Sequence, residues 1–126
     1  MSLTVVECDD RRLSQRQYES INLKLAEVAA LVRLCGIPEP FRAQLSALDP
    51  VNMGIPHDFQ LLIGWEHMTV STLLSGWQWL VMSRDERCGY VFSMVAGACQ
   101  ELLRSVMRDR RECVAASRNQ KEIAGR

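Results

Sequence analysis

A chain of 126 residues suits one domain built on one core, and its 48% hydrophobic and 24% charged content is that of a folded globular protein, not a disordered or fibrous one. Fifteen basic side chains meet fifteen acidic ones, so no general field draws the chain toward nucleic acid or an anionic membrane. The five cysteines, Cys8, Cys35, Cys88, Cys99 and Cys113, are odd in number and form no C-x-x-C pair. They read as thiols of a cytoplasmic protein in a reducing compartment.

The first thirteen residues lack a positively charged stretch followed by an apolar one, so they are read as a flexible arm and not as a signal peptide. Ser14 with Gln17 forms a capping-box pattern, after which Tyr18, Ile21, Leu25, Val28, Val32 and Cys35 step by threes and fours. The spacing predicts a helix ending near Cys35, because Gly36 suits the left-handed closing position and Pro38 blocks continuation. Glu39 and Pro40 then read as the start of a short second helix carrying Phe41, Leu45 and Leu48. Asp49 to Pro56, with two prolines, Asn52 and Gly54, reads as the main internal loop.

His57 to Met82 is the most apolar stretch and is read as a third helix. Its uncharged run from Met68 to Ser83 falls short of the roughly 20 residues that span a bilayer, so no membrane insertion is expected. Ser83 with Glu86 repeats the capping-box pattern, and Phe92, Val95, Cys99, Leu102 and Val106 continue at helical spacing. A fourth helix is predicted over about 84–116, with 117–126 a disordered tail. The expected fold is therefore all-α: a small antiparallel bundle of three long helices and one short one, spanning residues 14–116.

No candidate for chemistry completes a site at this level. His57–Asp58 has no upstream histidine to make a phosphohydrolase-type metal centre, and Glu66–His67 lacks the second histidine of a zinc-protease helix. Cys35 and Cys99 lie on apolar seams, where a thiol acts as a small hydrophobe. No catalytic residue, metal ligand or cofactor is assigned, and the chain is not read as an enzyme. Two alternatives remain open. One is a pocket around Glu66 and His67, with Glu66 either a buried acid, salt-bridged to Arg33 or Arg42, or exposed at the rim. The other is a nucleic-acid surface made by Arg104, Arg108, Arg110 and Arg111, although Glu101, Asp109 and Glu112 interleave with them and fit a solvated, ion-paired face better.

On a helical wheel the third helix has two apolar faces. Phe59, Leu62, Ile63, Val70, Leu73, Leu74, Trp77, Leu80 and Val81 make the expected core face, which also takes in Glu66. Leu61, Trp65, Met68, Thr72 and Trp79 make a second, and Leu23 and Leu34 lie away from the main seam of the first helix. A bundle this small has one interior, so these seven residues are the candidate partner-binding set, in a homodimer or with another protein. In size, helix order and its aromatic-rich Trp65–Trp79 segment, the chain resembles the small all-helical bacterial antiactivators that sequester LuxR-type quorum-sensing regulators. That resemblance implies a dimeric negative regulator whose apolar surface binds a transcription regulator, and it assigns no residue a role.

Overall fold

The computed structural model describes residues 3–8, 12–48 and 56–124, and its central element is a four-stranded sheet. Along the chain the elements are β1 (Leu3–Val6), α1 (Gln15–Cys35), β2 (Arg42–Ala47), β3 (Phe59–Trp65), β4 (Met68–Leu74), α2 (Gly76–Val81) and α3 (Arg84–Ala124). The strands lie in the order β1-β2-β3-β4. β1 runs parallel to β2 through the α1 crossover, and β2, β3 and β4 form an antiparallel meander. The fold is α/β, so the all-helical bundle is overturned.

α1 forms where the sequence places it. The Ser14 hydroxyl accepts from the Gln17 amide while the Gln17 side chain accepts from the Ser14 amide, which satisfies two of the otherwise orphaned groups of the first turn. Ile21, Leu25, Val28 and Val32 are buried, and Gly36 closes the helix at φ 76° with its amide bonded to the Val32 carbonyl. α3 also starts as expected, the Ser83 and Glu86 side chains each accepting from the other's amide. Its buried line, however, is Val91, Val95, Ala98, Leu102 and Val106, one residue off the expected seam at two points. Phe92 is 61% exposed and Cys99 only half-buried. α3 runs on to Ala124, past the expected end at 116.

The expected second helix is strand β2, and the expected third becomes β3, β4 and the short helix α2. In β2, Ala43 and Leu45 turn inward between exposed Arg42 and Gln44. The apolar residues spaced for a helical turn serve equally at a period of two. In β3, Phe59, Leu61 and Ile63 point to the core and Gln60 and Leu62 to the other face. The helical wheel had merged the two faces of a hairpin. β3 and β4 are joined by a two-residue turn at Glu66 and His67, with Glu66 at φ 57°. Glu66 is therefore a turn residue and not part of any core face. β1 likewise replaces part of the expected arm. The expected loop at Asp49–Pro56 lies, except for Pro56, outside the described residues.

Both long helices cover one face of the sheet, α1 over β1 and β2, α3 over β3 and β4, and they touch each other along one flank. The core is the space between. The other sheet face is open and mostly polar, with Thr4, Gln44, Thr69 and Ser71 exposed and the Gln60 amide donating to the Ser71 hydroxyl at 3.0 Å. One covered and one solvated face is the usual state of an antiparallel sheet. No helix among the described residues is long and apolar enough to cross a membrane.

Candidate interaction surface

α2 is a single turn and a half, and its position is fixed from both ends. The Ser75 hydroxyl accepts from the Gln78 amide, and the Asp58 carboxylate accepts from the Gly76 amide at 2.9 Å. Asp58 thus caps a helix far along the chain from itself. A side chain at Gly76 would place its Cβ 2.4 Å from the His57 carbonyl oxygen. Only glycine permits the segment before β3 to lie this close.

From that anchor Trp79 enters the core and is 1% exposed. Its indole N–H donates to the Glu27 carboxylate of α1 at 3.4 Å. Arg87 of α3 donates to the Trp79 carbonyl at 2.8 Å and to Glu27 at 2.9 Å, with its guanidinium 4.9 Å from the ring centroid. A buried tryptophan needs a partner for its one polar atom, and here the carboxylate that supplies it is itself neutralised by the arginine. Three helices meet at this lock.

A second clasp closes the far end. Arg110 of α3 donates to the Glu66 carboxylate and lies 4.8 Å over the Trp65 ring, which in turn packs on Phe41 with centroids 5.4 Å apart. His67 and Asp109 approach to 3.2 Å. Glu66 and His67 are thus engaged by residues of α3 at the protein surface. Surface concavities of about 480, 390 and 410 Å³ are lined by α1 or α3 residues and include neither of them. Among the described residues no three or more His, Cys, Asp or Glu groups gather to hold a metal ion.

The seven residues singled out from sequence do not form one face. Leu61 and Trp79 are core, each 1% exposed. Trp65, Met68 and Thr72 are half-buried on the inner side of the sheet. Leu23 and Leu34 are exposed on the back of α1, away from the core. The assignment inverts within α2 and its approach. Leu73, Trp77, Leu80 and Val81, expected in the core, are 56%, 58%, 45% and 80% exposed.

A further exposed line was not singled out. Phe92, Ala96, Leu103, Met107 and Val114 are exposed along α3. At spacings of four and seven they stay within about 60° of one another around the helix, a straight stripe about 33 Å long. This period was legible in the sequence but was masked by the stronger inward line beside it. Arg104, Arg108 and Arg111 run exposed next to the stripe. Burial holds the Cys99 thiol above the usual thiol range, and burial together with nearby Cys88 does the same for Cys35. At Glu86 the Ser83 amide and hydroxyl lower the carboxyl below its ordinary value by favouring the charged form.

No family model, no curated protein and no solved structure matches this chain.

Proposed function

We propose that this chain is a protein-interaction module that acts by covering a surface of another protein. The observation that carries the reading is the cluster of exposed Leu73, Trp77, Leu80 and Val81 at the junction of β4 and α2. Exposed apolar residues gathered within a short stretch of chain, an aromatic among them, are what protein interfaces favour, and leaving them in water costs free energy that a partner recovers. The lock at Trp79 holds α2 rigidly, so this knob is presented without an ordering cost on binding.

The helix order and aromatic helix behind the antiactivator resemblance are replaced by a hairpin and a short turn of helix. A bacterial transcription regulator remains the class of partner to test first, with the protein as its negative regulator. The five free thiols support a reducing compartment for that role.

The test uses the full chain as bait in its native host, beside Trp77→Glu. The wild type is expected to retain a defined partner at fixed stoichiometry, and Trp77→Glu to weaken that capture at least tenfold while melting at the same temperature, since an aromatic hot spot commonly contributes about 2 kcal/mol. Equal capture by both proteins would remove the knob from the interface and the reading with it.

A further inference from the structure

The net charge of zero conceals a partition along the chain. Residues 1–103 carry eight basic and twelve acidic side chains, net −4, and residues 104–126 carry seven and three, net +4. Six of those seven basic residues belong to α3.

A helix turns about 100° per residue, which fixes the directions of these groups. Val91, Val95, Ala98, Leu102 and Val106, all buried, lie within about 80° of one another and face the core. Arg104, Arg108, Arg111 and Arg118 also lie within about 80°, on the opposite side, and all four are exposed. The apolar stripe runs directly beside them. Both lines meet in the two concavities of α3, which share Met107 and Arg111. Leu103 and Arg104 line one, and Val114 and Arg118 line the other.

The acids of α3 point elsewhere. Glu101 and Glu112 lie on the far border of the arginine line from the stripe, and Asp109 turns to meet His67 at 3.2 Å. Asp85 and Glu86 are in the first turn, at least about 27 Å along the axis from Arg104. Arg87 and Arg110 are engaged by Glu27 and Glu66, whereas none of the other four arginines has an ion pair among the described residues. From Phe92 to Arg118, about 160° of the helix surface therefore carries apolar and cationic groups and no acid, over about 40 Å.

We propose that this face docks on an anionic lipid surface, with the arginines on the charged headgroups and the stripe sunk to the level of the first acyl carbons. A helix bearing adjacent apolar and cationic strips lies in the interfacial plane and binds through both. A nucleic-acid backbone would use the guanidiniums but leave Leu103, Met107 and Val114 in water. A lipid surface uses both lines, and that decides between them. The buried line points roughly the opposite way, so the sheet stands clear of the surface. The contact is peripheral, since no helix among the described residues is long and apolar enough to span a bilayer. It uses no residue of the α2 knob, so either surface can fail without the other.

Co-sedimentation of the full chain with lipid vesicles tests the proposal. Vesicles of phosphatidylcholine mixed with phosphatidylserine should bind it about tenfold or more tighter than phosphatidylcholine alone, and added salt should shrink the difference. Arg104→Gln with Arg111→Gln should weaken that binding about tenfold. Leu103→Ser with Met107→Ser should weaken it while keeping the salt dependence. All four side chains are exposed, so circular dichroism should report an unchanged fold. Arg16→Gln, exposed on α1, should bind as the wild type does. Equal binding to both kinds of vesicle, binding to neither, or binding that survives either double change overturns the proposal. So does tighter binding to duplex DNA at matched phosphate concentration that ignores the Leu103 and Met107 changes, a result that assigns the arginines to nucleic acid.

Discussion

The two flanks of α3 are finished to different degrees. Toward α1, Arg87, Glu27 and Trp79 satisfy one another's charges and polar atoms around a side chain that is 1% exposed. On its solvent-exposed side, Phe92, Leu103 and Met107 stay 61%, 47% and 41% exposed. α2 repeats the contrast within two residues, since Trp79 is enclosed and Trp77 is not. The closed flank has every group partnered, so disturbing it is felt as lost stability. The open flank has apolar area still in water, so disturbing it is felt in association.

The largest expected effect is on the closed side. Trp79→Ala should destabilise the protein by about 3–5 kcal/mol in urea unfolding, since it leaves a cavity and strips the Glu27–Arg87 pair of its ring. Trp77→Ala should stay within about 0.5 kcal/mol of wild type. If the two cost the same, the distinction between the flanks fails. Smaller is the effect of Gly76→Ala, whose Cβ would meet the His57 carbonyl at 2.4 Å. That backbone cannot yield cheaply, and a loss of about 1–3 kcal/mol is expected. Gly97→Ala, with open space around its Cβ, should instead raise the melting temperature by an amount equivalent to about 0.5–1 kcal/mol.

The smallest effect concerns reactivity alone. Burial raises the pKa of Cys35 and Cys99 and so lowers their thiolate fraction, whereas Cys113 is exposed. Iodoacetamide at neutral pH should label Cys113 first and these two last, read by peptide mass spectrometry. The ordering should persist as pH rises through the ordinary thiol range, because the two shifted groups ionise later. Early labelling of Cys99 would mean that the α3 flank opens far more than its packing implies.

Some of this architecture is written locally. Ser14 with Gln17, and Ser83 with Glu86, fix where α1 and α3 begin, because a capping box is satisfied by residues three apart whatever the rest of the chain does. Gly36 and Pro38 fix where α1 stops for the same reason. The period of the inward residues then identifies the buried face of α1, and of α3 to within one position.

The described part of the stretch from Phe41 to Val81 was legible as apolar, but neither its form nor which of its side chains are enclosed could be read. An uninterrupted apolar run fits a buried helix and a pair of strands equally well, and the turn that would separate them is Glu66–His67, which lacks the usual asparagine or glycine although Glu66 adopts a positive φ. The choice was made by distant partners. β3 is held on both sides by β2 and β4, and those ladders satisfy its backbone while α3 covers its inner face. Trp79 and Trp77 could not be told apart by sequence for the same reason: Glu27 and Arg87 lie 52 residues before the one and 8 after it. Local hydrogen bonds and caps are set by neighbours in the chain, so the sequence determined the two long helices; which apolar side chains are enclosed depends on what folds back over them, and only the tertiary structure decided that.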